Sequence, residues 1–169
     1  MFTQKALITK WSLYTAALLL LIAAQQCLNL LSPIFGVLPF LMPIIIAIVA
    51  ALEGPMPGTI FGVAVGCLCD LLGGGVFSGI YTFSFFWIAL CIAIISKYWV
   101  MHSAFGSLIY AAIAFLILDV FQILYLLLWK HASLQIMLIL AGKELLISIL
   151  FAIPILFLFR YLHSLFRYD

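Results

Sequence analysis

The chain has 169 residues, 69% of them hydrophobic and only 7% charged, with a mean hydropathy of +1.40, whereas a water-soluble domain is about a quarter charged. Six spans of roughly 20 apolar residues would take most of the length, leaving too little for a folded domain outside a membrane. The net charge of +2 is scattered over a few flanking positions, which argues against a nucleic-acid partner, because such proteins gather Lys and Arg on one face.

Taken in chain order, hydropathy and helix breakers divide residues 1–169 into a single transmembrane domain of six helices, an all-α integral membrane bundle. The first span, Trp11 to Leu31, follows Lys5 and Lys10. It imitates a secretory or lipoprotein signal ending at Cys27, but Gln26 stands where a small residue would be needed, so it reads as an uncleaved helix. The second, Phe35 to Leu52, contains Pro39 and Pro43, each of which kinks a helix or marks its true start. Glu53-Gly54-Pro55-Met56-Pro57 separates it from the third, Gly58 to Leu72, and Gly73-Gly74-Gly75 forms a tight turn into the fourth, Gly79 to Ile95. The fifth runs from Ala104 to Leu128 and the sixth, carrying Pro154, from Leu134 to Phe159. Short connections predict antiparallel neighbours.

Six spans put the termini and the second and fourth connections on one side, with Lys5, Lys10, Lys97, Arg160 and Arg167, against Lys130 alone on the other. That asymmetry places both termini in the cytoplasm. Trp11, Tyr98, Trp99, Trp129, Tyr161 and Tyr168 fall at span ends, as an interfacial aromatic belt requires. Cys27, Cys67, Cys69 and Cys91 lie within apolar runs and read as small packing residues; Cys67 and Cys69 point about 200° apart on a helix and cannot share a metal ion. His102, His131 and His163 sit at three separate helix ends and read as interfacial.

The strongest local pattern is a ladder of small residues, Gly54, Gly58, Gly62 and Gly66, ending at Asp70, with every step four residues. With 11 glycines in 169 residues, chance would produce it only about 0.003 of the time, and small-xxx-small spacing is the packing surface of membrane helices. Each step advances the helix by about 400°, so the ladder is an inclined groove that another backbone can approach. The approaching helix belongs either to the same chain or to a partner. Asp70 and Asp119 are carboxylates within apolar spans, where each costs roughly 2.5 to 3.5 kcal/mol and must face other protein. Gln122 shares a helix face with Asp119. Lys143 and Glu144 stand in the outer third of the sixth span, and pairing Lys143 with Glu144, Asp70 or Asp119 would compensate its charge.

An aspartyl-protease reading of the two aspartates is weakened because Cys67-Leu68-Cys69 precedes Asp70 in place of a Gly-x-Gly element. Gly73-Gly74-Gly75 lacks the lysine of a phosphate-binding loop. No metal or cofactor is implied.

The segment from Pro57 to Leu90, with its glycine ladder, Asp70, Gly74 and Gly79, resembles MreD, the membrane subunit of the bacterial rod-shape machinery. The helix bearing Pro39, the central aspartate of Leu116-Ile117-Leu118-Asp119-Val120, and a last helix with Pro154 that ends at Arg160 and Arg167 extend the resemblance over the chain; the Lys143-Glu144 pair departs from it. The resemblance implies a non-enzymatic role in the bacterial cytoplasmic membrane, among membrane lipids. The partners it implies are an MreC-like protein and the complex of a RodA-type polymerase with a class B transpeptidase, with MreB reached indirectly. It also implies a fold similar to the substrate-capture subunits of energy-coupling-factor vitamin transporters. Such a subunit is the alternative function, although the outward loops hold few groups to line its pocket.

Overall fold

The computed structural model describes residues 4–30, 37–72, 79–98, 104–130 and 134–165, and every element among them is helical apart from short connections. Seven helices follow in order: α1 (Gln4–Leu30), α2 (Met42–Glu53), α3 (Pro55–Leu72), α4 (Ile80–Tyr98), α5 (Ala104–Lys130), α6 (Leu134–Ile149) and α7 (Ala152–Leu165). Four of them, α1, α3, α4 and α5, are long and apolar enough to cross a membrane, and a fifth span results if the bent pair α6 and α7 is counted as one. The Gly73-Gly74-Gly75 turn, Trp99, His102, His131, Arg167 and Tyr168 lie outside the described residues.

Two of the expected spans take a different form, and proline explains both. The predicted second span shrinks to the 12 residues of α2, about 18 Å of helix against a hydrocarbon core of about 30 Å. Pro39 disfavours helical geometry at Leu38, and Pro43 occupies the first turn of α2, where its missing N–H is harmless. The predicted sixth span is broken into α6 and α7, inclined at 49°. The break falls at Leu150–Phe151 because the Pro154 ring crowds the carbonyl four residues earlier and offers it no N–H. Phe151 N–H turns back instead to Ser148 O at 3.0 Å.

A helix too short to span can be accommodated where protein rather than lipid surrounds it, and α2 is so placed. Every residue from Met42 to Ala50 is buried, and the helix packs against α3, α4, α5 and α7. The non-helical residues before it find partners in side chains: Gln25 of α1 donates to Pro39 O at 2.7 Å and accepts from Leu41 N–H at 2.8 Å, while Ser148 of α6 accepts from Phe40 N–H at 2.9 Å. Irregular backbone at membrane depth is tolerated only with this kind of internal satisfaction. The remaining core comes from Phe85, Ile88 and Ile92 of α4, Phe115 and Leu118 of α5, Phe159 of α7 and Tyr14 of α1. Leu20, Leu71, Leu116, Ile136 and Leu146 project outward, as apolar solvent allows.

The expectation that consecutive helices lie side by side holds from α2 to α7, where each helix packs on the next. It does not hold at the start of the chain: the main helical neighbour of α1 is α7.

Candidate functional site

The glycine ladder resolves into one turn and one packing seam. Gly54 is not helical; at φ +87° it breaks the chain between α2 and α3, and its N–H bonds Ala50 O at 3.1 Å. A side chain would be strained in that region of backbone space. Gly58, Gly62 and Gly66 line one flank of α3, and a Cβ on any of them would collide with a neighbour. At Gly58 it would lie 2.7 Å from Ala50 Cα of α2, at Gly62 2.9 Å from Phe85 O of α4 and 3.4 Å from Ile46 Cγ2 of α2, and at Gly66 2.5 Å from Thr82 Cα of α4. The ladder therefore passes from α2 to α4 as it climbs, which is the drift that its four-residue step imposes. The helices that fill the groove belong to this chain.

At the top of the seam Asp70 closes the contact. Its carboxylate accepts from Tyr81 N–H at 3.2 Å and Thr82 N–H at 3.0 Å, and from Thr82 Oγ1 at 2.5 Å. Tyr81 and Thr82 belong to the first turn of α4, whose N–H groups have no partner within the helix and carry the positive end of its dipole. Asp70 is thus a cap supplied by the preceding helix. Gly79, at φ +91°, turns the chain so that those N–H groups meet it. Gly74 lies outside the described residues.

A second polar node, at the opposite end of the bundle, escaped the sequence reading. Glu53 accepts from Lys10 Nζ at 2.6 Å and from Tyr14 Oη at 2.7 Å, and His163 Nδ1 lies 3.0 Å from its Oε1. One carboxylate at the end of α2 thereby ties α1 to α7. Lys10, expected to be a flanking charge, is buried, and Tyr14 is fully so; the ring of Tyr14 also meets Phe159 edge-on at 5.6 Å. The missed signal was scarcity: the sequence has five acidic residues, and one placed beside a helix break merited the same scrutiny as the two aspartates.

Asp119, Gln122, Lys143 and Glu144 behave differently. Asp119 and Gln122 share the half-buried flank of α5, and among the described residues neither they nor Glu144 has a hydrogen-bond partner or an ion pair. The expected pairing of Lys143 does not form among the described residues. Lys143 is exposed while Glu144 is half-buried, because consecutive helical residues point about 100° apart. Cys27 and Cys67 are exposed, Cys69 and Cys91 half-buried, and all four are free thiols.

A cavity of about 760 Å³ lies at the end of the bundle where α4 begins. Gln25, Gln26 and Asn29 of α1 line it, together with Phe40, Tyr81 of α4, Gln122 of α5 and Glu144 of α6. The expectation of few pocket-forming groups on this face rested on the loops and does not describe the helices: the polar groups here come from helix interiors and ends. The cavity is bounded by α1, α3, α4, α5 and α6 and by the residues that lead into α2.

The fold and these nodes define an all-helical bundle whose apolar outer face suits a membrane. Set against protein-family models, curated proteins and solved structures, the chain matches none.

Proposed function

We propose that this chain is a non-enzymatic scaffold subunit of a bacterial rod-shape complex. In this reading it inserts six segments into the cytoplasmic membrane, with α2 as the buried sixth and both termini inside. Its partners in this reading are an MreC-like protein and the complex of a RodA-type polymerase with a class B transpeptidase that builds the lateral wall, with MreB reached indirectly.

The observation that carries the reading is the use made of the polar groups that the bundle holds tightly. Asp70 caps α4, Glu53 clamps α1 to α7, and Gln25 and Ser148 serve the backbone that enters α2. Each joins helices, and the sequence resemblance centres on the same α3–α4 hairpin. The glycine seam stiffens that hairpin from within, so partner contact falls to the outward faces of the bundle.

Gentle solubilisation of bacterial membranes containing a tagged full-length chain, followed by mass spectrometry, tests the proposal. Wall-synthesis proteins should co-purify. Recovery of importer ATPases in their place would overturn the scaffold reading in favour of a substrate-capture subunit.

A further inference from the structure

The cavity above α2 has a charge and wall composition that the scaffold reading does not use. Glu144 faces it with no hydrogen-bond or ion-pair partner among the described residues, and lies within electrostatic range of Asp119. A carboxylate so placed, in surroundings that water screens poorly and with Asp119 nearby outside the cavity lining, would be relieved by a cation in the cavity. Lys143 does not supply it, since its side chain is directed away on the exposed side of α6. Amide oxygens of Gln26 and Gln122 add uncommitted acceptors. The rings of Phe40 and Tyr81, which also line it, stand 5.7 Å apart, tilted by 57°, and Glu144 is within electrostatic range of Tyr81 as well. Aromatic faces and a carboxylate lining one cavity form the arrangement that recognises organic ammonium groups, and pockets for small molecules commonly measure about 300–1,000 Å³.

We propose that this cavity binds an organic ammonium ion, with Glu144 and Gln122 receiving the charged group and Phe40 and Tyr81 covering its apolar substituents. The assignment is independent of the rod-shape proposal. The same chemistry is offered by the ethanolamine headgroup of a phospholipid and by a soluble amine.

The test uses the full-length protein in detergent, with two probes. Native mass spectrometry compares retention of phosphatidylethanolamine and phosphatidylglycerol. A thermal-shift titration compares benzyltrimethylammonium chloride with sodium chloride at equal ionic strength. Wild-type protein should retain phosphatidylethanolamine preferentially, which identifies a lipid headgroup, or gain thermal stability with benzyltrimethylammonium, which identifies a soluble amine. In either case Glu144→Gln should weaken binding at least tenfold. Because Glu144 has no bonding partner among the described residues, that variant should melt within a few degrees of wild type without ligand. Gln122→Leu is the second variant and should weaken the same probe several-fold. Preference for phosphatidylglycerol without stabilisation by benzyltrimethylammonium, response to neither probe, or undiminished binding by a folded Glu144→Gln or Gln122→Leu protein would overturn the assignment.

Discussion

Replacing Gly66 by alanine adds one carbon at the tightest point of the bundle, and the cost can be worked from its surroundings. The new Cβ would lie 2.5 Å from Thr82 Cα, 2.9 Å from Thr82 N and 3.0 Å from Tyr81 O, all backbone atoms. Carbon atoms settle about 3.5–4.0 Å apart, so α3 and α4 must separate by about 1 Å. Overpacking of this kind costs about 1–3 kcal/mol. One turn along, the same separation stretches the bonds of Asp70 to Tyr81 N–H and Thr82 N–H, now 3.2 and 3.0 Å, beyond useful length. Hydrogen bonds to a charged group contribute about 1.5–3 kcal/mol each. Against this, alanine is a better helix former than glycine by about 0.5–1 kcal/mol. The net expectation is a loss of at least about 3 kcal/mol. Gly142 of α6 provides the control, since nothing lies within 4 Å of a Cβ placed there; Gly142→Ala should keep the helix gain and stabilise by up to about 1 kcal/mol. Unfolding by sodium dodecyl sulfate in mixed micelles, followed by circular dichroism, measures both. A Gly66→Ala protein within about 0.5 kcal/mol of Gly142→Ala would refute the claim that the seam is closed by this chain's own helices.

Glu53→Ala should destabilise by about 3–5 kcal/mol, because it leaves Lys10 buried without its counter-charge. In the same micelle assay Lys10→Met combined with Glu53→Gln should lose less than the sum of the two single changes, and strict additivity would show that the ion pair is not coupled. Asp70→Asn retains an acceptor but no charge and should cost about 1–2 kcal/mol; hydrogen exchange at Tyr81 and Thr82 should accelerate, and unchanged protection there would contradict the capping role. Gln25→Leu strands Pro39 O and Leu41 N–H and should cost about 2–4 kcal/mol. A cysteine introduced near Pro39 would then label faster with a membrane-permeant maleimide; wild-type labelling kinetics would count against the role of Gln25.

The sequence displayed its helices because apolar length and proline punctuation are local properties. Residues 55–72, 80–98 and 104–130 fall close to the predicted limits for that reason. The glycine ladder was legible as a packing surface, since its four-residue period is fixed by helix geometry; which helix it meets depends on tertiary placement, and that period contains no such information. Asp70 was recognisable as a tie but not as a cap, because its partners are N–H groups, which every residue other than proline carries. Glu53 lies 43 residues from Lys10 and 110 from His163, separations at which no spacing rule operates. The shortness of α2 was hidden for the opposite reason: hydropathy measures apolarity, and a helix surrounded by protein is as apolar as one surrounded by lipid.

The start of α2 also imposes an order on biosynthesis. Phe40 N–H waits for Ser148, 108 residues later in the chain, and at about 5–20 residues per second the ribosome needs roughly 5–20 s to deliver it. During that interval the α3–α4 hairpin, whose contacts are local, can form while the segment before α2 lacks one of its acceptors. The newborn protein is therefore incomplete at its centre until its C-terminal third arrives, and a chain truncated before Ser148 would present quality-control proteases with an unsatisfied core segment rather than a shortened edge.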